Sequence, residues 1–133
     1  MAEKLQFELV SPERLVLSEA VEMVVVPGAE GDFGALPHHA PFISVVRPGI
    51  IDVHNGGKVS TRIFVAGGFA EVTEDRVTVL AEDAALLSDV TAEAAQNRLA
   101  AAQSSLQAAV SPQEKAAAER AVQAAEVLKS AVA

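Results

Sequence analysis

A β-sandwich, or flattened barrel of about eight to ten short strands, followed by an antiparallel α-helical hairpin is the fold class that the sequence predicts. The first observation behind it is the spacing of apolar residues up to about Leu87, at every second position or in short β-branched runs, with turn residues between them. The second is an abrupt change after Ser88: 16 of the last 46 residues are Ala and Gly disappears, which is a helical composition. The third is a capping signature, "SPQE", that divides this Ala-rich region in two. The chain is therefore read as a sandwich domain over residues 1–87 and a two-helix hairpin over 88–133.

The strands follow in order. In "LQFELV" Leu5, Phe7 and Leu9 alternate with Gln6 and Glu8 until Ser11-Pro12 stops the run. "AVEMVVV" comes next, then the turn-rich "EGDFGALPHHAPF", then "FISVVR" up to Pro48-Gly49. "IIDVH" and "KVSTRIFV" flank Asn55-Gly56-Gly57, where Asn-Gly is expected to supply the positive backbone angles of a tight hairpin. "FAEVT" and "VTVLA" follow Gly67-Gly68, separated by the turn Glu74-Asp75-Arg76. Asp89 or Thr91 is expected to cap the first helix, with Glu93 near its positive end. Ser111 is expected to cap the second, with Pro112 at the first helical position and Glu114 at the capping-box position. Leu99, Ala102, Leu106 and Ala109 share one face of the first helix. Ala118, Val122, Ala125, Leu128 and Val132 share one face of the second. A seam made mostly of methyl groups lets the helices approach closely but buries little area.

Composition excludes several functions. Half of the 133 residues are apolar, ample for a core. Five Phe with no Trp or Tyr make no platform for stacking bases. A net charge of −8 opposes binding to nucleic acid or to an anionic membrane surface. Cysteine is absent, which removes disulfides, thiolate metal sites and Cys nucleophiles and suits a reducing compartment. With a charged N-terminal stretch and no long apolar run, an intracellular soluble protein is expected.

The densest cluster of chemistry-bearing residues is Glu30 to Phe42. Adjacent His38 and His39 point to opposite faces of an extended chain, and Pro37 and Pro41 forbid the helical spacing of a zinc motif. A metal site is therefore not expected, and His54, beside a hairpin turn, reads as a surface residue. Glu30 and Asp32 share a face if the segment is extended, but a wet Gly-rich turn gives neither the desolvation of a catalytic acid. "GAEGDFG" lacks the Lys-Ser/Thr ending of a phosphate loop, and no nucleophile elbow occurs. Gly67-Gly68 suits a bulge, a hairpin corner or a close backbone approach.

Four segments in fixed order carry a family resemblance: "VVVPGAEGDFGALPHHAPF" (24–42), "RPGII" (47–51), "VAGGFAEV" (65–72) and "VTVLAEDA" (77–84). Together with the step from sandwich to hairpin, they make the chain resemble the epsilon subunits of bacterial F-type ATP synthases, the equivalent of the mitochondrial delta subunit. The resemblance implies a noncatalytic rotor part of the central stalk, without a cofactor, whose sandwich binds the gamma subunit and the c-ring and helps couple proton translocation to ATP synthesis. It implies a peripheral location at the cytoplasmic face of the bacterial inner membrane. Carried over by position, the c-ring contact loop corresponds to Glu30, Gly31, Asp32 and His39, and His38 stands where many relatives have Gly. The gamma contact corresponds to one sheet face and the Gly67, Gly68, Phe69 region, where an exposed Phe69 would suit a hot spot.

In the family the hairpin either folds onto the sandwich or extends toward the alpha and beta subunits, where it inhibits ATP hydrolysis. Some relatives bind ATP through Ile/Leu-Asp-x-x-Arg at the start of the first helix. Here the aligned "VTAEA" has Thr91 for the acid and Ala94 for the first Arg, with Arg98 further on. Loss of that guanidinium removes the fork that recognises phosphate, so weak or absent ATP binding is expected. Lys115, Arg120 and Lys129 are balanced by Glu114, Glu119 and Glu126, so a weak brake is expected. Two competing readings are a small-ligand-binding sandwich with a helical tail, which needs convergent polar groups in a pocket, and a metal-dependent enzyme using His38, His39 and nearby acids.

Overall fold

The structure, a computed structural model, describes residues 3–132. It contains ten strands and then two helices, as the fold class requires. The strands are β1 (Leu5–Ser11), β2 (Arg14–Val21), β3 (Met23–Gly28), β4 (Gly31–Ala35), β5 (Phe42–Val46), β6 (Gly49–Asn55), β7 (Lys58–Val65), β8 (Gly68–Val72), β9 (Arg76–Ala81) and β10 (Ala84–Leu86). The chain forms two compact units, dividing between Leu86 and Leu87. Among the described residues no helix is long and apolar enough to cross a membrane.

The strands hydrogen-bond in the order β10-β7-β6-β3-β5-β8-β9-β1-β2, with β4 paired to β3. A single pairing, Gly28 with Val46, joins β3 to β5. That narrow joint lets β4, β3, β6, β7 and β10 make one layer of a sandwich and β5, β8, β9, β1 and β2 the other. Nearly all pairings are antiparallel, but β1 runs parallel to β9, a crossover that periodicity alone does not reveal. Alternation decides which side chains fill the interior. Leu5, Phe7 and Leu9 on β1, Val24 and Val26 on β3, Ile51 and Val53 on β6, and Val77 and Val79 on β9 are all buried in one cluster. No polar or charged residue among those described is buried.

The β6–β7 hairpin corrects one detail of the sequence reading. Positive φ falls on Gly56 (64°) and Gly57 (75°), not on Asn55. Asn55 ends β6 and uses its Oδ1 to accept a bond from the Glu22 backbone N–H at 3.2 Å, while the Glu22 carboxylate accepts one from Gly57 N–H. The polar residue thus ties the turn to the β2–β3 corner and leaves the strained angles to the two glycines, which have no Cβ to clash.

In the second unit a short 3₁₀ turn, Leu87–Asp89, precedes α1 (Ala92–Ala108) and α2 (Pro112–Val132). Of the two candidates for the first cap, Thr91 performs it: its hydroxyl accepts from Ala94 N–H at 3.0 Å. Ser111 caps α2 by accepting from Glu114 N–H at 3.1 Å. The Glu114 carboxylate reaches one residue beyond the usual capping-box partner and accepts from Val110 N–H. Leu99, Ala102 and Ala125, with Val122 against them, form the seam. Ala95 and Ala124 are also buried, whereas Leu106 is only half-buried and Ala109 is the C-cap.

Candidate functional site

The β3–β4 hairpin brings three of the four proposed c-ring contact residues together at one tip. Pro27 pairs with Asp32 and Gly28 with Gly31, leaving Ala29 and Glu30 at the turn. Gly31 takes φ +137°, and a Cβ on Gly28 would sit 2.7 Å from the Gly31 carbonyl oxygen. Both glycines are therefore required by backbone geometry. The turn end of the hairpin is stapled to β5 and the residue after it by Ala29 N–H to the Val45 carbonyl (2.8 Å) and Arg47 N–H to the Pro27 carbonyl (2.9 Å). The Arg47 guanidinium adds two bonds, donating to the Gly28 carbonyl at 2.5 Å and to the Asp32 carboxylate at 2.6 Å. Sequence reasoning missed Arg47. Its signal was a lone cation 15 residues beyond Asp32 in a segment, "RPGII", noted only as a motif.

His39, the fourth residue, lies outside the tip but is linked to it by rings. Its Nδ1–H donates to the Ala40 carbonyl at 2.7 Å, and its ring centroid lies 5.1 Å from that of Phe42. Phe42 in turn meets Phe33 of β4 edge-on at 4.9 Å, a favoured aromatic geometry. Glu30, Asp32, Phe33, Phe42 and Ser44 help line an open groove of about 490 Å³ beside the tip. Glu30 and Asp32 are exposed.

His38 has other partners altogether. It occupies the third position of a turn closed by His39 N–H to the Leu36 carbonyl, with Pro37 second and φ +70° at His38 itself. This is the pattern of a type II turn, whose third position favours Gly. His38 N–H donates to the Glu74 carbonyl, and its Nε2–H donates to the Glu3 carboxylate at 2.5 Å. The two histidines therefore do not converge. No group of three His, Asp or Glu among the described residues is placed to hold a metal ion.

A second surface lies on the outer face of the layer containing β5 and β8. Val45 is opposite Phe69, Phe69 opposite Leu80, Leu80 beside Val10, and Val10 opposite Leu15. Register alone puts this row of apolar side chains across five strands on one face. It is open to solvent: Phe69 is 58% exposed, Leu80 54%, Leu15 57% and Val45 53%, with Ile43 more so. Gly67 and Gly68 both have positive φ, and a Cβ on Gly68 would lie 2.0 Å from the Leu80 carbonyl oxygen. Of the roles considered for Gly67-Gly68, close backbone approach is thus realised at Gly68. Val10, Gly68, Phe69 and Leu80 line a shallow depression of about 310 Å³.

On α1, Thr91, Ala94 and Arg98 sit at the N-cap, in the first turn and two turns on. The Thr91 hydroxyl is engaged by the Ala94 N–H. Thr91, expected to stand in place of an acid, is thus a helix cap.

Comparison with known proteins agrees with the geometry. The family model described as ATP synthase, Delta/Epsilon chain, beta-sandwich domain matches residues 4–86. The ATP synthase epsilon chain of Paramagnetospirillum magneticum is 60% identical over 133 residues, covering 100% of both chains. That of Rhodospirillum rubrum is 67% identical over 101 residues, 76% of this chain and 75% of its own. Among solved structures, a chain of the Euglena gracilis mitochondrial ATP synthase matches with a TM-score of 0.78 and 25% identity, over 98% of this chain and 82% of that one. A chain of the Tetrahymena thermophila mitochondrial ATP synthase central stalk and c-ring shares the fold, with a TM-score of 0.71 and 15% identity over 98% of each. This relatedness does not favour a ligand-binding module with an unrelated tail. The chain belongs to the ATP synthase delta/epsilon family.

Proposed function

We propose that the protein is a noncatalytic rotor subunit in the central stalk of an F-type ATP synthase, helping to couple proton translocation to ATP synthesis. The observation that carries this reading is relatedness to an ATP synthase epsilon chain over 100% of both chains in a sandwich with an exposed apolar row on one face. It is a peripheral component at the cytoplasmic face of the bacterial inner membrane. The row Val45, Phe69, Leu80, Leu15 is the gamma-binding face, with Gly67 and Gly68 shaping its edge. Burying such a row on a partner supplies the apolar centre that stable interfaces need. The tip formed by Glu30, Gly31 and Asp32, with His39 behind it, meets the polar loops of the c-ring. Thr91, Ala94 and Arg98 are the remnant of an ATP site with little nucleotide affinity, and the hairpin is a weak regulator of hydrolysis.

The test is co-elution with purified gamma subunit on size exclusion, followed by Phe69→Ser. The wild-type chain is expected to form a stable complex. The substitution is expected to weaken it by roughly 2 kcal/mol or more, as removal of a central aromatic anchor does, while the free chain keeps its folded spectrum. Failure of the wild-type chain to associate would overturn the rotor reading. Undiminished binding of the variant would move the interface to another face.

A further inference from the structure

We propose that Arg47 is the positioning residue of the β3–β4 tip, holding Glu30 and Gly31 in the one shape in which that loop is presented. This rests on the rotor reading for its consequence, but not for its geometry. The guanidinium bonds both sides of the hairpin at once: the Gly28 carbonyl on the outgoing strand and the Asp32 carboxylate on the returning one. Its own backbone N–H is bonded to the Pro27 carbonyl, so the arm that holds the tip is anchored at the tip's root. The same spot is the narrow joint between the two layers, where Gly28 pairs with Val46. Without the guanidinium, the tip would be held only by its own pairing and backbone bonds to the β5 segment. A planar fork with two donors resists motion of the tip, because both bonds must break together. Asp32 thereby acquires a part different from that of Glu30: its carboxylate, though exposed, is bound by the Arg47 guanidinium, while Glu30 stands exposed at the turn.

The clamp and its consequence are separated by two experiments on Arg47→Met and Arg47→Lys. In the full-length free chain, amide hydrogen exchange from Ala29 to Asp32 is expected to quicken about tenfold in Arg47→Met, the loss of both guanidinium bonds discounted for their exposure. Exchange in β1 and β9 should be unchanged. Arg47→Lys, which keeps the charge but lacks two nitrogens spaced to reach both partners, is expected to fall between. Unchanged exchange at the tip, or equal acceleration throughout the sandwich, would overturn the positioning role. In the assembled synthase, Arg47→Met is then expected to lower protons pumped per ATP hydrolysed while co-elution with gamma is retained, with partial rescue by Arg47→Lys. A quickened tip with unaltered coupling would sink the proposed loop contact and leave the clamp standing. Loss of gamma binding would overturn the proposal in favour of a general structural role for Arg47.

Discussion

His38 shows how backbone conformation and side-chain identity can disagree at one residue. At φ +70° any residue with a Cβ is strained by roughly 1–2 kcal/mol, and a β-branched residue fares worse. Against this stand a backbone bond to Glu74 and an exposed pair with Glu3, and exposed pairs contribute little. His38→Gly is therefore expected to leave stability unchanged or raised by up to about 1 kcal/mol, since relieved strain outweighs the added freedom of the unfolded chain. His38→Val is expected to lose roughly 1–3 kcal/mol. Urea denaturation of both variants checks the pair, and a destabilised glycine variant would show that the histidine ring matters more than the turn. The turn closed around Pro37 is one whose third position favours glycine. Asp32 makes the opposite point. Its exposure was legible from composition, but its tie to Arg47 was not, because nothing in spacing says which of the chain's cations a loop carboxylate will meet.

At the scale of elements, local signals were read well where the chemistry is local. Ser111, Pro112 and Glu114 define the start of α2 because a hydroxyl, a fixed φ and a carboxylate act within one turn of each other. Ser111→Ala removes the acceptor for Glu114 N–H and is expected to cost about 1 kcal/mol. The loss should appear in circular dichroism as fraying of α2, with no change in the sandwich. A near-neutral result would mean that Glu114 and solvent satisfy the helix end alone. Long-range pairing was less legible. The alternation of Leu5, Phe7 and Leu9 assigned β1 to the core but could not reveal its parallel partner β9, since the same period fits any neighbour. Phe69 illustrates the limit. In isolation a Phe in a strand is best placed inside, and only the register with Val45 and Leu80 puts it in an exposed row.

For the whole molecule, the division at Leu86 separates two kinds of stability. Among the described residues, a sandwich core runs from Leu5 to Ala84 within the first unit. The hairpin seam consists of Leu99, Ala102, Ala125 and Val122, a small apolar area that contributes little at about 25 cal/mol per Å². Its second helix carries Glu114, Glu119 and Glu126 against Lys115, Arg120 and Lys129, and such balance gives weak steering toward an acidic partner at physiological salt. Deleting residues 88–133 is thus expected to leave a folded sandwich that still binds gamma and supports coupled ATP synthesis in the assembled enzyme. The ATP hydrolysis rate should rise by less than roughly threefold, because removing a brake worth only a fraction of 1 kcal/mol cannot do more. Steady-state hydrolysis and proton pumping by the truncated and intact enzymes, compared at the same salt, separate the two claims. A tenfold or larger rise in hydrolysis would assign the hairpin a strong inhibitory contact that its neutral charge pattern does not foretell. Loss of pumping with gamma still bound would mean that force passes through the helices as well as through the β-sandwich.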